Sequence, residues 1–279
     1  KLQELIDQHD NIVFLEEQVI DGEWDPDFRS QDGLYHQKYD FPPETILSHT
    51  FFLNHPEEFY KFYRDKLIVK GVKPNKAHIA LAKLEEKGKL KAGYNTNIDG
   101  LHQMAGSKNV LELHGSLLET TVWIAEIYDI DYIENSKGVP KCECGGIIKP
   151  DVVLYEEMLN DDTITKSVQY ISNADVLIIG GTSLNVYPAA GFKITSKAVK
   201  LVIINKAATS ADKNADLVIS EPIGEVLGSL KYEVYYMNVK SIKADDEKWF
   251  KYLSQKRIEK VNRLKKTNKK MKERKQKFE

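Results

Sequence analysis

An amide, a carboxylate and an imidazole lie close together in one short stretch of this chain. Asn97 and Asp99 follow an apolar run, and His114 comes fifteen residues after Asp99. If a helix fills the interval, the chain returns and places the three side chains around one small reaction centre. An imidazole titrates near neutral pH and therefore suits a general base. The alternative, from these residues alone, is a helix-capping Asn/Asp pair and an ordinary hydrogen-bonded histidine.

Apolar runs of strand length alternate with helical patterns around these residues. The runs at 11–15, 175–179 and 200–204 predict buried strands, and the apolar face at 74–87 predicts a helix that Gly88 ends. This alternation predicts an α/β fold with a Rossmann-like, doubly wound parallel sheet. In such sheets ligands bind beyond the carboxyl ends of the strands. Polar residues follow three apolar runs at such ends: Asn97, Gly181-Thr182-Ser183 and Asn205.

Composition and length favour a large domain with a separate tail. The 279 residues are 42% hydrophobic, enough for a substantial core. We predict an α/β domain over 1–240, a small inserted module at about 117–150 and a basic helical tail over 241–279. No apolar run is long enough to predict a membrane span, and the first residues lack the apolar stretch of a secretory signal. These features predict a cytoplasmic location and no membrane partner.

The charge of the chain is concentrated in the tail. Residues 256–279 carry a net charge of +9, so the remainder carries −11. Ile258, Val261 and Leu264 approximate one helical face among the lysines. A solvated helix explains this pattern. The alternative is a basic arm that weakly contacts nucleic acid or the acidic body of its own chain.

Seven motifs occur in a fixed order and cover most of residues 11–225. They are Pro26-Asp27-Phe28-Arg29, Asn97-Ile98-Asp99, Glu112-Leu113-His114-Gly115, Cys142-Glu143-Cys144-Gly145-Gly146, Pro150-Asp151-Val152-Val153-Leu154-Tyr155-Glu156-Glu157, Gly181-Thr182-Ser183-Leu184 and Ile203-Ile204-Asn205. Together they resemble the sirtuin family, the NAD-dependent protein deacylases.

The resemblance implies a reaction between NAD and the acylated lysine of a protein or peptide. In the family the acyl oxygen attacks the nicotinamide ribose, nicotinamide leaves, and a histidine acts as general base on a ribose hydroxyl. His114 matches that base. Asn97 and Asp99 would share the catalytic centre with it. The chain would then be a protein-lysine deacylase (deacetylase).

The resemblance also assigns binding residues. The nicotinamide side and the ribose would contact Asn97, Ile98 and Asp99, and Phe28 and Arg29 would close over the cofactor. The phosphate and adenosine half would contact Gly181, Thr182, Ser183 and Asn205. The acyl-lysine channel would be flanked by Val152, Val153, Leu154 and Tyr155, which would offer an extended backbone edge to a peptide. The alternatives are a plain strand for 152–155 and a turn residue for Ser183.

The segment after the first strand departs from the glycine-rich phosphate loop of the family. Residues 15–25 contain one glycine and five acids. One glycine cannot turn successive amides toward a pyrophosphate, and carboxylates repel it. A second departure is at Asn95-Thr96-Asn97, where the family has Thr-Gln-Asn, so the glutamine of the family is missing. We predict that Val19, Ile20 or Trp24 packs where the adenine-side phosphates would lie. The alternative is a mobile surface loop that still permits weak NAD binding.

The predicted inserted module retains half of the metal ligands of the family. Cys142 and Cys144 match its second cysteine pair, but Thr121-Val122-Trp123-Ile124 stands where the first pair would lie. Two thiolates do not complete a tetrahedral zinc site. We therefore predict a zinc-ribbon-like module that is metal-depleted, with zinc absent or substoichiometric and the apolar stretch 122–127 packing in its place.

These observations leave two hypotheses about function. The first is an NAD-dependent protein deacylase that works with an atypical phosphate loop. The second is a sirtuin-fold protein, natural or engineered, that has lost NAD binding and catalysis and serves as a scaffold or binder. Binding of NAD distinguishes the two.

Overall fold

A six-stranded parallel sheet forms the centre of the protein. The computed structural model describes residues 1–16, 39–68, 72–121, 128, 130–143, 145–181 and 200–231. Its strands are β1 (Ile12–Glu16), β2 (Leu90–Asn95), β3 (Val110–Glu112), β4 (Gly115–Thr121), β5 (Lys149–Val152), β6 (Val176–Gly180), β7 (Lys200–Ile204) and β8 (Leu217–Ile219). The main sheet has the order β3-β2-β1-β6-β7-β8, and β4 and β5 form a small antiparallel sheet.

The two middle strands are buried along their whole length. β1 pairs in parallel with both β2 and β6, and every residue of β1 and β6 is buried. A strand covered on both faces needs apolar side chains at nearly every position, which explains the runs at 12–15 and 176–179. The predicted α/β class with a Rossmann-like parallel sheet is confirmed, and the predicted strand at 200–204 coincides with β7.

Helices connect the strands and cover the sheet. They are α1 (Leu2–Gln8), α2 (Pro43–Ile46), α3 (His49–Asn54), α4 (Pro56–Phe62), α5 (Lys76–Glu86), α6 (Leu101–Ala105), α7 (Ile130–Asn135), α8 (Asp161–Asn173) and α9 (Ile223–Gly228). A π-helical turn, Tyr63–Leu67, extends α4, and a 3-10 turn spans Asp212–Asn214.

The helix predicted at 74–87 is α5, which is shorter by two residues at its start and by one at its end. It begins late because the Asn75 side chain caps it, accepting hydrogen bonds from the amides of Ala77 and His78. It ends before Gly88, which has a φ of +71°. Both ends are therefore fixed by residue chemistry rather than by the apolar pattern.

A second core is rich in aromatic side chains and lies between α2–α4 and the β4/β5 sheet. Its buried rings are Phe51, Phe52, Phe59, Tyr60, Phe62 and Tyr63. The Tyr60 hydroxyl donates to the carbonyl of Ile148. Arg64 donates from Nε to Ile133 O at 2.9 Å and from Nη2 to Gly138 O at 2.7 Å. The inserted module predicted at about 117–150 thus shares its core with helices that precede it by some fifty residues or more.

Several predictions fall on parts of the chain that the structure does not describe. The apolar stretch 122–127 and the basic tail at 241–279 both lie outside the described residues. Within the described residues, no helix is both long and apolar enough to cross a membrane.

Among the glycines that the structure describes, Gly115 leaves the least room for a side chain. Its φ is +77°, and a Cβ there would lie 1.9 Å from the carbonyl oxygen of Asp151. We expect Gly115→Ala to lower the free energy of unfolding by at least about 2 kcal/mol, because backbone strain and a backbone clash add together.

Gly88→Ala is the matched control for this substitution. Gly88 has a φ of +71°, but a Cβ there would meet nothing within 4 Å. It should cost only the left-handed strain of about 1 kcal/mol. Chemical denaturation of both variants measures the difference, and equal losses would show that the contact with Asp151 carries no cost.

Candidate active site

The carboxyl ends of the parallel strands meet at one edge of the main sheet. Thr96 follows β2, Gly181 follows β6 and Asn205 follows β7. Gly181 has a φ of +61°, and its amide donates to Ile204 O at 3.2 Å. The amide of Asn205 donates to Ile219 O at 3.0 Å. Hydrogen bonds between neighbouring strand ends thus hold these residues at the edge where the sequence predicts them.

The segment from Asn95 to Asp99 is ordered by its own side chains. The Asn95 carbonyl Oδ1 accepts from the amide of Asn97 at 2.7 Å. Asp99 Oδ1 accepts from the amide of Leu101, the first residue of α6, at 2.9 Å. Ile98 packs its side chain against the aromatic core, and its carbonyl accepts from the amide of Leu117 at 2.8 Å. The N-cap of α6 is Gly100, which has no side chain to cap the helix, so the bond from Leu101 to Asp99 fixes the segment from just before the cap.

His114 is half-buried beside this segment. Its Nδ1 lies 3.0 Å from the carbonyl oxygen of Thr96. A carbonyl can only accept, so Nδ1 carries the proton and Nε2 holds the lone pair. Burial lowers the pKa of His114 below its ordinary value, although the hydrogen bond to Thr96 opposes the shift. The neutral imidazole with a basic Nε2 is the form that a general base requires.

The residues after β5 lie against His114. The amide of Val153 donates to His114 O at 2.8 Å, and that of Tyr155 donates to Leu47 O at 3.0 Å. The amide of Leu154 donates to Glu157 Oε2 at 2.9 Å. The amides of 153–155 are thus engaged within the chain, and the strand ends at Val152. The extended backbone edge that the sequence predicts at 152–155 therefore does not offer the amides of 153–155 to a peptide.

Glu157 organises the turn that follows. Its carboxylate lies 2.8 Å from His49 Nδ1 and 2.9 Å from Lys149 Nζ. Burial by itself raises the pKa of Glu157, but the Leu154 amide, His49 and Lys149 outweigh it and lower the pKa. The neighbouring Glu156 has a φ of +75°, and its carboxylate accepts from the amide of Thr50 at 2.9 Å. Sequence reasoning missed this network, because His49 and Thr50 lie about a hundred residues before the glutamates that they contact.

Glu16, at the end of β1, points into the protein rather than toward the edge. Its side chain has no exposed surface, and Oε2 lies 2.8 Å from His102 Nε2 while Oε1 accepts from Asn97 Nδ2 at 3.1 Å. Burial by itself lowers the pKa of His102, but Glu16, with Asp99 and Glu112, outweighs it and raises the pKa. The sequence suggests that Glu16 would repel a pyrophosphate. The pairing with His102 offsets that negative charge.

Several predicted site residues are not described by the structure. They are Phe28, Arg29, Cys144, Thr182, Ser183 and the loop residues 17–25. The packing of Val19, Ile20 or Trp24 in the phosphate region therefore stays a prediction. Cys142 is buried. The sequence has no other cysteine besides Cys144, so the residues present do not fit a zinc held by four thiolates.

The described residues of the edge fit the nicotinamide and ribose half of NAD. Asn97, Asp99 and His114 are held at fixed positions there by Asn95, α6 and Thr96. Glu16, the carboxylate that ends β1, is paired with His102. An amide, a carboxylate and a neutral imidazole are the groups that binding and deprotonating a ribose hydroxyl would require.

Known proteins share this architecture. A structure described as "The Structural basis of Sirtuin Substrate Affinity" superimposes with a TM-score of 0.74 at 36% identity. The match covers 81% of this chain and 95% of the other chain. A structure of a Sir2 protein with a deacetylated p53 peptide and 3'-O-acetyl-ADP-ribose superimposes with a TM-score of 0.70 at 35% identity, and covers 81% of this chain and 94% of its own.

Sequence relatives extend over the same region. A protein of Clostridium perfringens named NAD-dependent protein deacetylase is 57% identical over 236 residues, which are 82% of this chain and 97% of that protein. Residues 25–188 match the Sir2 family. The sirtuin resemblance is therefore confirmed, and this chain belongs to the Sir2 family.

Proposed function

We propose that this protein is an NAD-dependent protein-lysine deacetylase in which His114 is the general base. The observation that carries the proposal is the hydrogen bond between His114 Nδ1 and Thr96 O at 3.0 Å. It places the proton on Nδ1 and the lone pair on Nε2, next to the segment Asn97–Asp99. The membership of the chain in the Sir2 family supplies the reaction class.

Different residues of the site bind the cofactor and transfer the proton. NAD, when bound, supplies the nicotinamide ribose that the acyl oxygen attacks as nicotinamide leaves. Asn97 and Asp99 hold the nicotinamide side and the ribose, and Ile98 contributes an apolar contact. His114 Nε2 takes the proton of a ribose hydroxyl, and the Thr96 carbonyl stabilises the imidazolium that forms. Gly181 and Asn205 contact the phosphate and adenosine half.

The substrate in this proposal is an acetylated lysine of a protein or peptide. Val152 and Leu154 are buried, whereas Tyr155 is 47% exposed and can meet a peptide. Because the amides of 153–155 already donate within the chain, recognition at this segment falls to side chains and carbonyl oxygens. The related structure with a deacetylated peptide supports a peptide substrate.

The alternative of a scaffold that has lost NAD chemistry has no support from the comparisons. The relative from Clostridium perfringens is named as an NAD-dependent enzyme and is aligned over 97% of its length. The ordered segment at 95–99 and the tautomer of His114 favour retained chemistry. Zinc in the cysteine module at less than one equivalent, weak contact of the tail with nucleic acid and a cytoplasmic location stay predictions from the sequence.

Turnover of an acetylated peptide tests the proposal directly. The full chain is incubated with NAD and an acetyl-lysine peptide, and mass spectrometry follows loss of the acetyl group and release of nicotinamide. We expect both products in equal amounts, and neither without NAD. A folded chain that shows no heat of binding at millimolar NAD and no product is not a deacetylase.

Removal of the imidazole should slow catalysis strongly without unfolding the chain. We expect His114→Ala to lower kcat by about 10²–10⁴-fold, because a positioned general base is lost. The heat of NAD binding should remain. His55→Asn is the control, since His55 is exposed and should leave kcat unchanged. A His114→Ala enzyme with the parental kcat would show that another group accepts the proton.

The lowered pKa of His114 gives the rate a defined dependence on pH. The imidazole stays neutral at pH values where an exposed histidine is already protonated, so the base is active there. We expect the acidic limb of the kcat/KM profile, which reports groups of the free enzyme, to have its midpoint below the ordinary histidine value of about 6.5. A limb above that value, measured with a peptide that does not titrate in this range, would contradict a buried neutral base.

The lowered pKa of His114 also makes the free energy of unfolding depend on pH. Between the folded pKa and the ordinary value, the unfolded chain binds a proton at His114 that the folded chain does not. The contribution of this group to the free energy of unfolding therefore decreases as the pH falls through that range. We expect denaturation at pH 7.5 and 5.5 to show a larger loss for the parent than for His114→Asn. Equal losses would place the titration on other groups.

A further inference from the structure

Two histidines and a glutamate from three separate elements meet beneath the candidate active site. Glu16 ends β1, His78 lies in the first turn of α5, and His102 lies in α6. One potential ligand atom from each residue lies within 4.8 Å of the other two. All three are buried, with exposures of 0%, 2% and 2%. The fold therefore brings together a set of nitrogen and oxygen donors.

His78 presents a neutral imidazole to this cluster. Burial, and then the charge of His102, lower the pKa of His78 to about 3. Its Nδ1 lies 2.9 Å from Asn75 Oδ1, an oxygen that also accepts from two backbone amides. The Asn75 amide donates to the same nitrogen at 3.3 Å in a capping box, so Nδ1 accepts from the backbone in one tautomer and donates to Oδ1 in the other. In the tautomer that donates to Oδ1, Nε2 has the lone pair that a metal requires.

The carboxylate of Glu16 is oriented in the same way. Asn97 Nδ2 donates to Oε1 at 3.1 Å, while Oε2 lies 2.8 Å from His102 Nε2. Side chains that ligate metals are held by such outer hydrogen bonds, which fix the tautomer of an imidazole and the orientation of a carboxylate. Asn75 and Asn97 supply these bonds here.

The surroundings favour a dication. Asp99 and Glu112 act electrostatically on His102, and both favour positive charge at this position. The rings of His78 and His102 lie 4.7 Å apart between centroids, and the apolar ring of Phe14 lies 6.4 Å from that of His102. Burial of the Glu16 carboxylate strengthens its attraction to a metal.

We propose that Glu16, His78 and His102 form a binding site for one divalent first-row transition metal such as Zn²⁺ or Co²⁺. Two imidazoles and a carboxylate are a donor set that suits these ions. Metal–ligand bonds of about 2.0–2.2 Å place the donors about 3–3.5 Å apart, so the cluster needs to contract by about 1–2 Å at most. On binding, His102 gives up its Nε2 proton to solvent and the metal takes its place.

This site contains neither Cys142 nor Cys144, and the proposal of a metal here does not rest on the proposed deacetylase activity. The low zinc expected from the sequence concerns Cys142 and Cys144, whereas the new site contains nitrogen and oxygen donors. A test by metal content and spectroscopy, without NAD or peptide, therefore succeeds or fails regardless of turnover.

Cobalt is the probe, because its spectrum reports its ligands. The full chain is expressed in medium supplemented with Co²⁺, so that the metal is present as the buried site folds. We expect about one cobalt per chain, with visible absorption typical of nitrogen and oxygen ligands. The sulfur-to-cobalt charge-transfer band of a thiolate site should be missing. X-ray absorption of the same sample should show imidazole scattering.

Variants assign the metal to the cluster. Glu16→Gln keeps the shape of the side chain and removes its charge, and His78→Asn removes one imidazole. Both should lose most of the bound cobalt, while the exposed control His55→Asn should keep it. Circular dichroism and thermal melting check that each variant folds.

Three outcomes would overturn the proposal. They are a folded parent chain that purifies without cobalt, a thiolate charge-transfer band with no imidazole scattering, and cobalt content that is unchanged in both folded variants. If neither variant folds, X-ray absorption of the cobalt-loaded parent chain still tests the proposal. A cobalt coordination shell without imidazole would exclude this site.

Discussion

A carboxylate without exposed surface at the end of the central strand constrains the whole edge of the sheet. An isolated buried charge costs several kcal/mol, so Glu16 requires partners in place. His102 and Asn97 supply them at 2.8 and 3.1 Å. His102 is the second residue of α6, and the amide of the first, Leu101, donates to Asp99 Oδ1. The segment between β2 and α6 is therefore fixed from both ends, and the Thr96 carbonyl that orients His114 lies within it.

The sheet could be predicted from the sequence because its physical basis is local. Buried strands need apolar runs, and the predicted strand at 200–204 has the same bounds as β7, although its first residue, Lys200, is exposed. The order of the strands was not predicted, since a hydrophobic pattern does not encode which strands are neighbours. The limits of α5 were off by one or two residues because a side-chain cap and a glycine set them.

The residues of the proposed site could be named from the sequence, but their protonation and hydrogen bonds could not be predicted. The motif identified His114, yet the position of its proton depends on a backbone carbonyl eighteen residues earlier. The inward direction of Glu16 depends on His102, eighty-six residues later, so the local sequence suggested an acid beside a phosphate. Glu157 presents the same difficulty, since His49 lies one hundred and eight residues away. Pairings across such separations follow from the tertiary fold and leave no local signal.

The charge of the group paired with Glu16 affects how strongly the carboxyl edge of the sheet attracts or repels an anionic cofactor. An unpaired carboxylate would repel a phosphate 4 Å away by about 4 kcal/mol at an effective dielectric constant of 20. A protonated His102 cancels that charge and leaves only a short-range dipole. A dication between Glu16 and the two histidines would leave a net positive charge, which attracts an anionic cofactor. Because Asn97 donates to Glu16 and also belongs to the proposed NAD site, the occupant of the cluster acts on the same amide. Metal binding and cofactor binding are then linked, and each changes the affinity for the other by the same factor.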